Sequence, residues 1–355
     1  MIVNQWVPAA HAGDAVGDHA RTLRGLIRAW GHESEIYAID IDESLTGDVR
    51  PWTNVWSRVG DVTILHFATA SPMTEDFAGL PGTRVIHYHN VTPAHFFAKY
   101  EPALCHVTRQ ARIELATLAG RTDVAYGASG YSCEELHALG FPDPSVLPLA
   151  VDLDRLRSAA PVPALERVLD DGLANILFVG RLAPNKKIED HLRLAEQYRR
   201  YIDLDCRFIF AGRSDAVPSY FTALRALVLD HGLPPDRVWF TGAVPTAELA
   251  AYYRHADAYV SLSEHEGFGA PLVEAMAMDV PVVAYAATAV PETLDGAGLA
   301  FAPKDLEYAA ELLGAVVYDE PLRESVLKGQ QARVRAFEPG RIAERARAAL
   351  AAAGL

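Results

Sequence analysis

The chain has 355 residues, half of them hydrophobic, and a formal net charge of -14. That length exceeds what one hydrophobic core ordinarily supports, so two domains are expected. The negative balance excludes the basic stripe of a nucleic-acid binder and disfavours an anionic membrane surface, leaving peripheral membrane contact open but not favoured. No apolar run reaches the roughly 20 residues that cross a bilayer, so the reading is a soluble chain with no transmembrane segment.

The first residues, "MIVNQWVPAA", carry no basic head and no cleavage site, and read as a strand rather than a signal peptide. Short apolar runs then alternate with stretches of helical period. "SEIYAID", "DVTILHF", "RVIHYH" and "VAYGAS" read as buried parallel strands, and "GDHARTLRGLIRAWG", "TRQARIELATLAG" and "CEELHALG" as helices. Around 140–172 a segment rich in proline and charge reads as a linker. The alternation resumes with "ANILFVG", "CRFIFAG", "RVWFTG", "DAYVSLS" and "VPVVAY" and ends in the Ala-rich helix "GRIAERARAALAAAGL".

Strand and helix in alternation imply two doubly wound parallel-sheet α/β domains. Expected boundaries are 1–155, 156–335, and a final helix over 336–355 that crosses back to the first domain. Cys105, Cys133 and Cys206 are odd in number and lack metal-type spacing, so they read as reduced thiols and place the protein in the cytoplasm.

In open parallel sheets ligands sit beyond the carboxyl ends of the strands. "FVGRLAPNKK" puts Arg181 and Lys186 at such an end, behind Gly180, where two cations suit a diphosphate or a solvated loop equally well. It has neither a P-loop nor a dinucleotide glycine pattern. "SEHEGFGAPLVEAMAMDVPVV" places Glu266 and Glu274 eight positions apart around the turn Gly267, Phe268, Gly269, Ala270, Pro271. Glycine allows close backbone approach, and Pro271 suits the first turn of a helix whose free N–H groups favour a phosphate. The two carboxylates stand at an otherwise apolar sheet end and could each accept hydrogen bonds from a diol.

This run resembles the Glu, seven residues, Glu signature of retaining glycosyltransferase family 4, within the glycosyl transferases group 1, which have the GT-B architecture of two Rossmann-like domains facing across a cleft. "FVGRLAPNKK", "GFPDPSVLPLAVDLDRL" and "VWFTGAVPTAELAAYYRHADAYVSLS" are similar to further family segments, in order. The resemblance is specific over 128–302 and weaker over 1–127. It implies that Arg181 and Lys186 grip a donor diphosphate, that Glu274 binds the ribose and Glu266 the donor sugar, and that Gly267 to Pro271 lie close to that sugar or its phosphate. Gly242, Ala243 and Val244 would lie near the base. His89 matches the family's active-site histidine, and Gly13 and Gly17 its glycine loop. The usual adjacent glycine pair is missing, with Asp14 in its place, and Asp279 stands where glycine commonly follows the signature helix.

Strand alternation puts His87 and His89 on one face, with His66 ending another strand. A His-His metal pair lacks a third ligand at recognisable spacing. Asp40 with Asp42, and Asp152 with Asp154, read as loop carboxylates rather than metal clamps, so no metal and no cofactor is expected. The loop over 89–102 offers Phe96 and Phe97, either to an acceptor pocket or to packing beneath it.

The resemblance implies transfer of a hexose-like unit from a nucleotide diphosphate sugar, GDP- or UDP-linked, to a saccharide, polyol or natural-product hydroxyl, with retention. Residues 1–150 hold ten Lys/Arg against seventeen Asp/Glu, which favours a soluble acceptor. Alternatives are a GT-B-fold phosphorylase, a nucleotide-sugar epimerase or a non-catalytic nucleotide-sugar binder. A homodimer stays open.

Overall fold

The computed structural model describes residues 1–11, 13–53 and 59–355; Ala12, inside the glycine loop named above, lies outside them. The chain divides into two compact units. Unit 1 comprises Met1–His95, Pro102–Asp152 and Phe337–Leu355, and unit 2 comprises Phe96–Glu101 and Leu153–Ala336.

Unit 1 is built on β1 (Val3–Ala10), β2 (Ile36–Ile41), β3 (Arg50–Pro51), β4 (Val62–Phe67), β5 (Thr83–Tyr88), β6 (Val124–Gly127) and β7 (Ser145–Val146). All pair in parallel, in the order β3-β2-β1-β4-β5-β6-β7. Unit 2 repeats the scheme with β8 (Ala174–Val179), β9 (Cys206–Ala211), β10 (Val238–Gly242), β11 (Ala258–Ser261), β12 (Val282–Tyr285) and β13 (Leu299–Phe301), ordered β10-β9-β8-β11-β12-β13 and also parallel. Each order reverses once, between β1 and β4 and between β8 and β11. Those reversals are the switch points where doubly wound sheets leave a crevice.

The central strands are buried along nearly their whole length, as strands covered on both faces must be. In unit 1 one face packs Leu65, Phe67, Ile86 and Tyr88 against Phe77, Leu115 and Leu136. The other packs Val3, Val62, Ile64 and Tyr126 against Leu23, Ile27, Ala346 and Leu350. The helix Pro339–Leu350 thus belongs to unit 1, and the Tyr126 hydroxyl donates to the Ala349 carbonyl.

Four differences from the sequence reading stand out. β3, β7 and β13 are two or three residues long, too short for a period to register. The helix read from Thr108 begins at Pro102, a residue suited to a first helical turn. The segment read as linker holds β7 and the helices Leu153–Arg157 and Pro163–Leu169, with the change of unit falling after Asp152. Phe96–Glu101, read as part of an N-domain loop, clusters with unit 2, where the Tyr100 ring meets Tyr220 edge-on at 5.0 Å.

Candidate functional site

In unit 2, β8, β9 and β10 each end in Phe-x-Gly: Phe178 to Gly180, Phe210 to Gly212, Phe240 to Gly242. Phe210 and Phe240 stack at 5.2 Å and 25°, and Phe178 meets Phe210 tilted at 6.2 Å and 48°. The glycines lie side by side: Gly180 N–H donates to the Ala211 carbonyl (2.9 Å) and Gly212 N–H to the Gly242 carbonyl (3.0 Å). A Cβ on Gly212 would stand 2.0 Å from the Gly180 oxygen, so only glycine allows this approach. Gly212 was not singled out from the sequence, although the threefold Phe-x-Gly signal was there to find. Gly180 and Gly242 are half-buried beside it, with exposed Ala243 and half-buried Val244 next along the chain.

Beyond Gly180 the chain exposes Arg181, which makes no hydrogen bond or ion pair among the described residues, and then turns through Pro184–Lys186. Lys186 Nζ donates to both Glu266 oxygens, at 2.6 Å each. Backbone contacts sew the two loops together: Glu264 N–H donates to Asn185 O (2.9 Å), and Asn185 Nδ2 donates to His265 O (3.1 Å). Thr288 Oγ1 accepts from Glu266 N–H (2.8 Å) and donates to Glu266 O (2.9 Å), which fixes the Glu266 backbone at both ends.

The helix Ala270–Ala277 starts from Gly269, whose φ of 89° and contact with Leu272 require glycine, and no side chain caps its N-terminus. Glu274 lies on its buried face. Tyr253 O–H donates to Glu274 Oε2 (2.9 Å), and Arg155 Nη2 approaches Oε1 at 3.5 Å. Burial and then the Glu274 charge push the Tyr253 hydroxyl well above its ordinary range, so it remains a donor. Neither Tyr253 nor Arg155 was predicted; both are distant in sequence from the signature they serve.

A second charged group flanks this one. Lys304 Nζ bridges Asp190 (2.6 Å) and Glu264 (3.0 Å), and Lys187 pairs with Glu189 (3.1 Å). Burial works against the Asp190 charge, but the hydrogen bond and field of Lys304 outweigh it and hold the carboxyl below its usual range. His191 joins the loops: its Nδ1–H donates to Lys187 O (2.9 Å), and its Nε2 accepts from Leu262 N–H (3.1 Å). Burial lowers its pKa to about 4.

In unit 1 the sequence-selected histidines gather behind the switch point. His66 and His89, from the ends of neighbouring strands, bond Nδ1 to Nε2 at 2.9 Å. His87 stands 4.2 Å from His89, ring centroid to centroid, as strand alternation requires. His19, from the buried face of the helix Ala15–Ala29, completes the cluster and was missed, because nothing in its helical register marks a meeting with strand residues. One nitrogen from each of His19, His66 and His87 lies within 4.8 Å of the others, a grouping that the search for a sequence-spaced third ligand did not find. Burial holds all four imidazoles below their ordinary pKa, with His87 at about 4.

The glycine loop differs from its sequence reading. Gly13, at φ 77°, is exposed in a turn, whereas Gly17 sits inside the first turn of the helix, where Asp14 caps it by accepting from Gly17 N–H (3.3 Å). Asp14 in place of a second glycine is therefore a helix cap. Asp40 and Asp42 both face His11, at 3.4 and 2.9 Å. A cavity of about 620 Å³ along the helix Pro102–Leu118, lined by Ala94, Arg109, Arg112 and Ile113 among others, contains none of the selected residues.

Two parallel α/β units of Rossmann strand order define the GT-B class of glycosyltransferase folds. The chain superposes over 99% of its length on 99% of Anabaena Alr3699/HepE in complex with UDP-glucose, with a TM-score of 0.78 at 15% identity. Residues 166–333, nearly the whole of unit 2, match the family model Glycosyl transferases group 1. The chain is 29% identical over 222 residues to a GDP-mannose-dependent alpha-(1-6)-phosphatidylinositol monomannoside mannosyltransferase of Mycobacterium tuberculosis, covering 59% of this chain and 56% of that protein. It is 34% identical over 196 residues to a D-inositol 3-phosphate glycosyltransferase of Frankia alni, covering 53% and 47%. The chain thus spans about half the length of the curated relatives it matches. Among the described residues, no helix is long and apolar enough to cross a membrane.

Proposed function

We propose that the protein is a retaining glycosyltransferase that moves a hexose-like sugar from a nucleotide diphosphate sugar to an acceptor hydroxyl without a metal ion. The observation that carries this reading is the Lys186–Glu266 pair, clamped between two loops at the unit 2 switch point with Glu274 on the next helix. Arg181 and Lys186 neutralise the departing diphosphate, assisted by the uncapped helix N-terminus. Lys186 is held by Glu266 until the diphosphate competes for the ammonium, which frees the carboxylate for sugar hydroxyls. Glu274, oriented by Tyr253, accepts from the ribose.

Retention by double displacement would need a carboxylate behind the anomeric carbon. No residue in the sequence announces itself as that nucleophile, so the reading is same-face substitution in which the leaving phosphate takes the acceptor proton. The names of two similar proteins support GDP-mannose and UDP-glucose as the first donors to try, and the acidic N-terminal half supports a soluble acceptor.

The test is release of free nucleoside diphosphate from UDP-, GDP-, ADP- and TDP-sugars, with and without chelator, over a panel of sugar, polyol and aglycone acceptors. Acceptor-dependent release that survives chelation is expected. A phosphate-dependent reaction, or tight binding with no release, would replace this reading with a phosphorylase or a binding protein.

A further inference from the structure

Of the four imidazoles clustered in unit 1 the family resemblance gives a role to only one, His89, and anchors to backbone and to Gln5 fix the proton of every ring. Ala150 N–H donates to His19 Nδ1 (2.9 Å), so the His19 proton is on Nε2, from which it donates to His87 Nδ1 (3.1 Å). His87 Nε2–H then donates to the Leu147 carbonyl (2.8 Å). In the second chain Gln5 Nε2 donates to Ala20 O (3.0 Å), which turns Gln5 Oε1 toward His66 Nε2 at 2.8 Å. His66 must donate there, which leaves its Nδ1 bare to accept from His89 Nε2–H at 2.9 Å. No lone pair of His19, His66 or His87 is left over, so the three nitrogens near one another are not a ready set of metal ligands.

One lone pair does remain. Among the described residues His89 Nδ1 has no partner, and it is closed off from solvent, in a residue only 8% exposed at the carboxyl end of β5. Asn90 Oδ1, next in the chain, is a buried acceptor in the same state. A buried acceptor left unpaired carries a desolvation cost, which a donating hydroxyl would remove. We propose that Gln5 and His66 are positioning residues: they lock His89 in its Nε2–H tautomer, so that Nδ1 accepts a hydrogen bond from a hydroxyl of the bound ligand. The hydroxyl is the sugar's only if the functional reading above holds, whereas the tautomer lock stands without it.

The experiment uses full-length protein labelled with 15N-histidine, and long-range proton–nitrogen spectra that assign the proton-bearing nitrogen of each buried ring, His89 being identified by its loss in His89→Gln. Wild-type His89 is expected as Nε2–H with Nδ1 bare. In Gln5→Met, which keeps the side-chain length and removes the acceptor, His66 loses its preference and the His89 proton moves toward Nδ1. Gln5→Met should also lower kcat/KM about tenfold, one hydrogen bond's worth. A saturating sugar nucleotide should shift His89 Nδ1 in the direction of an accepted hydrogen bond, and the matching nucleoside diphosphate should not.

Wild-type His89 found as Nδ1–H, or a tautomer unchanged in folded Gln5→Met, overturns the proposal whatever the activity. So does Zn²⁺ bound at one equivalent through His66 Nδ1, the lone pair that the lock assigns to His89. Turnover with an unmoved Nδ1 sinks the ligand contact alone. A correct tautomer with no nucleotide release from any donor sinks the functional reading, and the sugar hydroxyl with it, while supporting the lock.

Discussion

On β4 and β5 and just past β5, beside the switch point of unit 1, stand imidazoles that bond to one another and to backbone; around the ends of β8 and β11, at that of unit 2, stand Lys186 with Glu266, Lys304 with Asp190 and Glu264, and Arg155 near Glu274. Strand order is the same in both, yet one end is finished with neutral rings and the other with paired ions. The difference lies in the company each group keeps. Asp190 keeps its charge despite burial because a lysine bonds to it, whereas the charges acting on His66 and His89 are those of other histidines, which add to the cost of burial.

Acid should break the comparison most strongly. A histidine whose folded pKa is depressed leaves the native state fully stable above about 6.5 and weakens it as pH falls toward the folded value, because the unfolded chain takes up the proton first. For His87, at about 4, that amounts to about 3 kcal/mol lost by pH 4, and its three neighbours act in the same direction. Among the described residues of unit 2 one such group stands, His191. Hydrogen exchange followed from pH 7 to pH 4 should therefore show the strands of unit 1 losing protection first; earlier loss in unit 2 would contradict the electrostatic contrast.

Next come the cations of unit 2. Lys186→Ala and Arg181→Ala should each lower turnover by about 10²–10³ through lost stabilisation of the departing diphosphate. They should part company on stability. Lys186→Ala strands the Glu266 carboxylate and should cost about 1–3 kcal/mol of unfolding free energy, while exposed Arg181 should cost almost none. Near-normal turnover in either variant removes that residue from the proposed chemistry, and equal melting curves would mean that the Lys186–Glu266 pair does not support the loops.

A smaller effect is expected at the buried end of the signature helix. Glu274→Gln should weaken nucleoside diphosphate binding about tenfold, the loss of one charge-assisted hydrogen bond, with Tyr253→Phe weakening it less. Calorimetry on the two variants reads both, and a larger loss in Tyr253→Phe would make the tyrosine a ligand contact rather than a brace. The smallest effect falls at Asp279, which adopts φ 55° after that helix. Asp279→Gly should relieve left-handed strain yet lose the bond from Gln331, a net gain of about 0.5 kcal/mol in denaturant melts. A loss would show that the bond outweighs the strain.

The alternation of elements was legible because β4, β9 and their neighbours are apolar runs bounded by turns, and the signature was legible because its glutamates sit in an apolar setting. What escaped was long-range company. Arg155 and Tyr253 meet Glu274 from about 120 and about twenty positions away, Lys304 meets Asp190 from over a hundred, and His19 reaches His87 across the first sheet. No local period encodes such meetings; they arise from which strands the crossovers lay side by side. Gly17 opens the stretch read as helix, and the Asp14 cap starts that helix two residues earlier, at Ala15.

The three Phe-x-Gly strand ends of unit 2 make the platform there a shared dimension rather than a set of contacts. Because the Gly180 carbonyl lies where a Gly212 side chain would begin, a methyl group added at Gly212 would push on the backbone that leads to Arg181, with no polar atom gained or lost. The arrangement is thus vulnerable to a substitution that a tally of ligand-touching side chains would pass over. It also places most freedom to vary just past the platform, at exposed Ala243 and half-buried Val244, where a changed side chain meets solvent instead of a neighbouring strand.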